Sequence, residues 1–173
     1  MSLLCHTIPS PLGDLIAVVS PQGLCLLEFV GQARLERELA QVEAARGGPP
    51  QPGRNALTDR LDAQLAAYFA GTLQTFDLPL DLVGTPFQQR VWQALLAIGY
   101  GQTWSYGQEA RYIGQPTASR AVAAANGQNK ISIVVPCHRV IGSNGTLTGY
   151  GGGLPRKQWL LALERGQAGG ALL

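Results

Sequence analysis

The first half of the chain alternates short apolar runs with turn residues, a pattern typical of a small β-sheet. The predicted strands are residues 3–8, 14–19 and 24–30. The apolar spacing then becomes helical over residues 32–46 and again over residues 57–68. Between these helices, residues 47–53 are rich in Gly and Pro and predict a loop. After the second helix, residues 75–80 predict one more extended segment.

The second half contains four predicted helix starts, of which the first three form a group. Thr85-Pro86-Phe87-Gln88 and Ser105-Tyr106-Gly107-Gln108 each place Thr or Ser three residues before Gln, which is a capping box. After a Gln115-Pro116 turn, Thr117 is expected to cap a third helix that ends before Gly127. A short helix, a tight turn and an Ala-rich helix form the outline of a helix-turn-helix. The Ala side chains would allow close approach either to another helix or to a groove of DNA.

A cysteine and a histidine stand side by side in Pro136-Cys137-His138-Arg139, which follows the apolar run 131–135. The apolar run predicts a strand. A thiol becomes a nucleophilic thiolate beside a base or a positive charge, and His138 and Arg139 supply both. A lone cysteine is more often a buried structural residue. Burial of His138 and Arg139 beside an apolar strand would cost free energy, so their presence favours a reactive cysteine instead.

Cys137 and His138 would point to opposite faces of a strand. Their cooperation therefore requires a turn of the chain or a bridging water. The base also needs an orienting group, and Glu164 ends a final helix predicted to begin at Pro155. A Cys–water–His–Glu relay is compatible with this order but is not established by spacing. The tail, residues 167–173, is expected to be loosely held.

The composition is that of one ordinary domain or two small ones, with 173 residues, 46% hydrophobic and 14% charged, which disfavours disorder. No apolar run reaches the length of a membrane span, and the first ten residues lack the pattern of a secretory signal. Three cysteines, without C-x-x-C spacing, indicate a reducing, cytoplasmic setting. We predict two domains, residues 1–80 and 81–173.

Charge is distributed unevenly along the chain, although the net charge is only +2. Residues 1–84 contain nine acidic and five basic residues, a net charge of −4. Residues 85–173 contain two acidic and eight basic residues, a net charge of +6. The half with the candidate nucleophile is thus the basic half, which favours a nucleic-acid partner.

The motifs of the second half resemble one family in order and spacing. Pro136-Cys137-His138-Arg139-Val140-Ile141, with Asn129 eight positions before the cysteine, is similar to the active-site signature of the O6-alkylguanine-DNA alkyltransferases, also called methylated-DNA–protein-cysteine methyltransferases. The other matching segments are residues 84–92, 105–107, 119–122, 149–153 and 157–161. The resemblance implies an α+β fold. A small ribonuclease H-like domain with a sheet would precede a mostly helical domain that carries the helix-turn-helix and the active-site cysteine.

The resemblance also implies chemical roles. Cys137 would accept an alkyl group from O6 of guanine, or from O4 of thymine, in duplex DNA. His138 would act through water as the base, with Glu164 orienting it. Asn129 would lie in the hinge before the active-site segment, and Tyr106 would give its hydroxyl to the departing guanine. Because an S-alkyl cysteine is a thioether and a very poor leaving group, each molecule would react once.

Duplex DNA containing alkylated bases is the partner that the resemblance implies, and a target atom inside a duplex requires base flipping. Arg120 would occupy the gap left by the flipped base. The other implied DNA contacts are Tyr106, Thr117, Ser119, Ala121, Ala125 and Arg139. The implied substrate pocket comprises Tyr150, Val140, Ser143 and Pro136. We expect a monomer with no membrane association and no cofactor.

The first half departs from the pattern of some family members, which bind zinc there through two Cys and two His. Cys5 and Cys25 match approximately, but the only histidines of the chain are His6 and His138, so the ligand set is incomplete. We therefore predict no metal and a small core role for both cysteines.

Two other functions remain open at this point. A cysteine hydrolase would use Cys137 and His138 for acyl transfer, but that class turns over repeatedly and usually takes its histidine from far along the chain. A non-catalytic protein that recognises alkylated DNA would not need the thiol.

Overall fold

The structure is a computed structural model, which describes residues 2–166. The chain forms two compact units, residues 1–83 and residues 84–173, and the division lies between Val83 and Gly84. Each unit has its own secondary structure and its own buried residues. The α+β class predicted from the sequence is confirmed.

The first unit is built on a four-stranded sheet. Its elements are β1 (Leu4–Ile8), β2 (Leu15–Ser20), β3 (Gly23–Phe29), α1 (Leu35–Arg46), β4 (Gln51–Pro52) and α2 (Ala56–Phe69). The strand order is β3-β2-β1-β4, with antiparallel pairs among the first three strands and a parallel pair between β1 and β4. Helix α1 packs on β3 and helix α2 on β2.

Two predictions in this unit need correction. The segment 47–53 is not only a loop, because Gln51 and Pro52 form the short strand β4. Pro52 is tolerated there because β4 is an edge strand. Residues 75–80 do not form a strand, and Leu80 makes a single bridge to Leu24.

The second unit is mostly helical. Its elements are α3 (Pro86–Leu95), β5 (Trp104–Ser105), α4 (Tyr106–Tyr112), α5 (Ser119–Asn126), a 3₁₀ turn (Cys137–Arg139), β6 (Val140–Ile141) and α6 (Leu154–Glu164). Both predicted capping boxes are present, at Thr85 and at Ser105. The predicted cap at Thr117 is wrong. The residue that precedes α5 is Ala118, which has no side-chain oxygen to accept an amide hydrogen.

Helices α4 and α5 pack together and form the predicted helix-turn-helix, with α3 packed against both. The indole Nε1 of Trp92 on α3 donates a 2.8 Å hydrogen bond to the carbonyl of Ala125 on α5. Val122 and Ala125 are buried, so this side of α5 faces the core of the unit. The opposite side of α5 remains open to solvent.

The strand predicted over residues 131–135 is wrong. These residues form consecutive tight turns, in which the Val134 amide donates to the Ser132 carbonyl at 2.8 Å and the Val135 amide to the Ile131 carbonyl at 3.1 Å. Ile133 has φ of 72°, which is strained for a β-branched residue and costs about 1–3 kcal/mol. Burial of the apolar side chains holds this segment in place. An apolar run of this length is therefore compatible with a buried turn as well as with a strand.

Within residues 2–166 there is no helix of the length and apolar character needed to cross a membrane. The same residues contain no cluster of three His, Cys, Asp or Glu side chains that could hold a metal ion. Cys25 is fully buried and Cys5 packs against the same apolar cluster, in agreement with the core role predicted for both.

Candidate active site

The 3₁₀ turn brings Cys137, His138 and Arg139 into one site. Pro136 has φ of −83° and ψ of 64°, and the Cys137 amide donates to the Val135 carbonyl at 2.8 Å, which is an inverse γ-turn. The chain therefore turns at Pro136-Cys137 and does not continue as a strand through the cysteine and the histidine. Cys137 remains half-buried, whereas His138 and Arg139 are buried.

Glu164, at the end of α6, receives donors from three places in the chain. Its Oε2 lies 2.6 Å from His138 Nε2, and its Oε1 accepts from Arg139 Nε at 2.8 Å. The Gly101 amide approaches Oε1 at 3.3 Å. Gly101 has φ of 78°, and a Cβ there would lie 3.0 Å from the Glu164 carbonyl oxygen, so glycine fits this position best. The predicted pairing of His138 with Glu164 is present.

The ionisation of this pair follows from its burial and its neighbours. Burial alone raises the pKa of Glu164, but the hydrogen bonds from His138 and Arg139 and the positive charge of Arg139 outweigh it and hold that pKa well below the ordinary value. Burial, together with the charges of Arg139 and Lys157, lowers the pKa of His138, although the hydrogen bond and the charge of Glu164 raise it. At neutral pH, Glu164 is therefore a carboxylate and His138 a neutral ring.

The position of the proton on His138 follows from the same contacts. A carboxylate only accepts hydrogen bonds, so Nε2 of His138 carries the hydrogen and Nδ1 has the free lone pair. Nδ1 is buried and makes no hydrogen bond to any of residues 2–166. The lone pair on Nδ1 is the basic position of the site.

The structure does not support a DNA contact by Arg139. Its Nε and Nη2 donate to Glu164, and its Nη1 donates to the Ile98 carbonyl at 2.6 Å. The side chain is almost fully buried. Arg139 fixes the Glu164 carboxylate instead, because a buried charge requires a partner of opposite sign.

Asn129 contacts the sulfur as well as the backbone. Its Nδ2 donates to the Val135 carbonyl at 2.9 Å and lies 3.3 Å from Cys137 Sγ, and its Oδ1 accepts from the Ile131 amide at 3.0 Å. The amide thus ties the strained turns together and places a donor beside the sulfur. A donor in this position favours the thiolate. Sequence reasoning placed Asn129 in a hinge and missed the contact with the thiol.

Lys157 is a buried cation that sequence reasoning did not assign to the site. Its Nζ donates to the carbonyls of Val140 and Thr148, both at 2.6 Å, and its side chain is fully buried. Burial lowers the pKa of Lys157 to about 8, and the charge of Cys137 opposes that shift. The sequence signal was its position on α6, on the same helix face as Leu160, Leu161 and Glu164.

The predicted pocket residues lie on both sides of the 3₁₀ turn, with Pro136 before it, Val140 in β6, and Ser143 and Tyr150 after β6. Val140 is buried and Pro136 is buried, Tyr150 is half-buried, and Ser143 is exposed in a loop closed by the Gly142 amide and the Thr146 carbonyl at 2.9 Å. Tyr106, the first residue of α4, reaches the segment after β6, and its hydroxyl lies 2.9 Å from Thr148 Oγ1. A hydrogen bond thus connects Tyr106, in the helix-turn-helix, to Thr148, in the loop that follows β6.

The exposed face of α5 differs from the predicted set of DNA contacts by one residue. Arg120 and Ala121 are exposed, as predicted, and Ala124 is exposed in place of Ala125. Ala125 is buried beneath the Trp92 indole, which makes a DNA contact by its side chain impossible in this structure. The two other predicted contacts beside α5 lie at its start, with Thr117 exposed and Ser119 half-buried.

The positive charge of the second unit is only partly on its surface. Lys130, Arg139 and Lys157 are buried, and Lys130 Nζ lies 5.2 Å from the centre of the Trp92 ring. The remaining basic residues of the unit, all at least partly exposed, are Arg90, Arg111, Arg120, Arg156 and Arg165. Counting charges along the sequence therefore overstates the charge available to a polyanion.

Known families and proteins resemble the chain over nearly its whole length. The family model described as 6-O-methylguanine DNA methyltransferase, ribonuclease-like domain, matches residues 3–82, and the one described as 6-O-methylguanine DNA methyltransferase, DNA binding domain, matches residues 86–166. The methylated-DNA–protein-cysteine methyltransferase of Mycobacterium bovis is 61% identical over 164 residues, which are 94% of this chain and 93% of that protein. The Salmonella typhimurium protein of the same name is 48% identical over 171 residues, 95% of this chain and 96% of that one.

Solved structures agree with the sequence comparison. The crystal structure of Mycobacterium tuberculosis OGT in complex with DNA superposes with a TM-score of 0.82 at 47% identity, covering 99% of each chain. The fold, the order of the motifs and the position of the cysteine thus lead to one conclusion. The chain belongs to the 6-O-methylguanine DNA methyltransferase family.

Proposed function

We propose that this protein is a single-turnover methylated-DNA–protein-cysteine S-methyltransferase, which repairs duplex DNA by moving an alkyl group from O6 of guanine to Sγ of Cys137. O4 of alkylated thymine is the second position from which Cys137 is expected to remove an alkyl group. The observation that carries the proposal is the environment of the half-buried Cys137. Asn129 Nδ2 lies 3.3 Å from its Sγ, and the next residue, His138, is paired with the buried carboxylate of Glu164. The family membership supports the same activity.

The chemistry follows from the charges of the site. Nδ1 of His138 takes the thiol proton through a bridging water, and Glu164 stabilises the ring that becomes charged. The thiolate attacks the alkyl carbon, so that the S–C bond forms as the C–O6 bond breaks. The electron pair of the broken bond goes to the guanine, which then accepts a proton. The Tyr106 hydroxyl donates that proton and recovers one from solvent.

Positioning of the target base uses the helix-turn-helix. The exposed face of α5, with Arg120, Ala121 and Ala124, is narrow because the alanines are small, which suits close approach to a DNA groove. Arg120 fills the gap left in the stack and so offsets part of the cost of flipping the base, a few kcal/mol. Thr117 and Ser119 flank that face and contact the DNA backbone.

The product explains why the protein reacts once. The S-alkyl cysteine is a thioether, and none of the contacts of Cys137 described above supplies a nucleophile that would remove the alkyl group. The protein acts on alkylated double-stranded DNA as a monomer in the cytoplasm, without a cofactor. These last assignments rest on the composition and on the family.

A time course with excess duplex containing O6-methylguanine separates the three candidate functions. The proposal predicts that demethylation stops at one guanine restored per protein molecule. Continued turnover of the DNA, or repeated hydrolysis of an ester substrate, would instead identify a cysteine hydrolase. Tight binding with no demethylation would identify a protein that only recognises the damage.

A further inference from the structure

Thr148 connects Tyr106 to the buried part of the active site. Its Oγ1 lies 2.9 Å from the Tyr106 hydroxyl, and its carbonyl accepts a 2.6 Å hydrogen bond from Lys157 Nζ. The same ammonium group holds the Val140 carbonyl, two residues after His138 in the sequence. Thr148 is thus anchored through its backbone while its side chain meets the phenol.

The direction of the hydroxyl–hydroxyl bond decides what Tyr106 can do. A phenol has one hydrogen, so a Tyr106 that donates to Thr148 has none left for a departing guanine. A Thr148 that donates to Tyr106 leaves the phenol hydrogen free to turn toward the base. A donor on the phenol oxygen also stabilises the negative charge that develops there as the proton leaves.

We propose that Thr148 is a positioning residue for alkyl transfer, which donates its hydroxyl hydrogen to Tyr106 and so directs the phenol hydrogen toward the departing guanine. This inference rests on the proposed function and deepens it. The balance of the reaction is unchanged, since the S–C bond still forms as the C–O6 bond breaks and Thr148 keeps its own proton. Lys157 contributes by fixing the backbone from which the Thr148 hydroxyl projects.

The test is the single-turnover rate constant of Thr148→Val on duplex O6-methylguanine. Valine has the same branched shape but no hydroxyl, so the rate is expected to fall about fivefold, the effect of one neutral hydrogen bond. Thr148→Ser keeps the hydroxyl and should restore most of the rate. Thr146→Val is the matched control, because Thr146 lies in the same loop and its hydroxyl donates to Asn144 Oδ1 at 2.7 Å and not to Tyr106.

A double-mutant cycle with Tyr106→Phe separates positioning from a general structural effect. Once the phenol hydroxyl is absent, Thr148→Val should slow transfer no further. An equal loss with and without the Tyr106 hydroxyl, or an unchanged rate in the single variant, would overturn the inference. A wild-type protein that removes no methyl group would overturn the proposed function itself. If the wild type reacts normally and Thr148→Val reacts at the same rate, only the inference about Thr148 fails.

Discussion

The two units each contain a cysteine whose surroundings the structure defines well, and the two thiols differ in almost every respect. Cys25 in β3 is fully buried, with Sγ 3.5 Å from the Asp81 carboxylate. Burial, with a smaller contribution from Asp81, raises the pKa of Cys25 to about 11. Cys137 is half-buried, and its Sγ lies 3.3 Å from the Nδ2 donor of Asn129.

The difference shows that reactivity is a property of the neighbours and not of the residue type. An acceptor and a low-dielectric environment keep Cys25 as a thiol, whereas a donor amide and the nearby charge of Lys157 favour a thiolate at Cys137. Asp81 is not available to activate Cys25 in any case, because it is paired with Arg46 at 2.6 Å.

Substitution of each cysteine by serine gives the largest expected contrast. Cys137→Ser should slow alkyl transfer by at least about 1000-fold, because a serine hydroxyl is not ionised at neutral pH. Cys25→Ser should leave the rate within about twofold, since the same substitution removes a thiol that has no chemical role. Single-turnover rates on methylated duplex measure both, and a comparable loss in Cys25→Ser would remove the distinction between the two sites.

Asn129→Asp should place a carboxylate beside Cys137, as Asp81 lies beside Cys25. The change replaces a donor by a carboxylate beside the sulfur and so disfavours the thiolate, and we expect transfer to slow about 100-fold at neutral pH. Asn144→Asp, in the exposed loop after β6, is the matched control for adding one negative charge. A rate in Asn129→Asp equal to that of the control would show that the donor contact with Sγ is not used.

Glu109 extends the comparison to stability, since burial disfavours its charge as it disfavours the charge of Cys25. Burial raises the pKa of Glu109 from 4.5 to about 7, although a 2.8 Å hydrogen bond from Asn126 opposes the shift. The folded protein therefore holds this proton more tightly than the unfolded chain. The stability that Glu109 contributes is complete below pH 4.5 and is lost as the pH rises through 7.

Glu109→Gln should remove this pH dependence. We expect the variant to be more stable than the wild type at pH 8 by about 3 kcal/mol, with the difference disappearing in acid. Urea unfolding at several pH values measures it, and Glu36→Gln, at an exposed acid of α1, is the control. A wild-type stability that does not fall between neutral and mildly alkaline pH would contradict the protonated state assigned to Glu109.

Much of the second unit could be predicted from the sequence because its signals are local. The capping boxes at Thr85 and Ser105 involve residues three apart, and the structure contains both. The pairing of His138 with Glu164 was predictable for a different reason, since this half contains only two acids and one of them ends a helix. The resemblance to the family supplied the rest of the expected site.

The predictions that failed concern burial, which a sequence does not show directly. Arg139 was expected to contact DNA and Lys157 was given no role, yet both are buried. Arg139 donates to Glu164, 25 residues away along the chain, and Lys157 donates to the carbonyls of Val140 and Thr148. The predicted DNA-facing side of α5 was wrong by one residue, Ala125 in place of Ala124, because alanine is found both in buried and in exposed positions. The turns around Ile133 were missed because an apolar run does not reveal its own φ angles.

The position of the transferred group tests the difference between the two thiols most directly. The protein is allowed to react with excess O6-methylguanine duplex until transfer stops, then digested, and each cysteine-containing peptide is examined by mass spectrometry. The account predicts one methyl group per molecule, on the peptide that contains Cys137, with Cys5 and Cys25 unmodified. A methyl group on Cys25, or restored guanine with Cys137 unmodified, would contradict it.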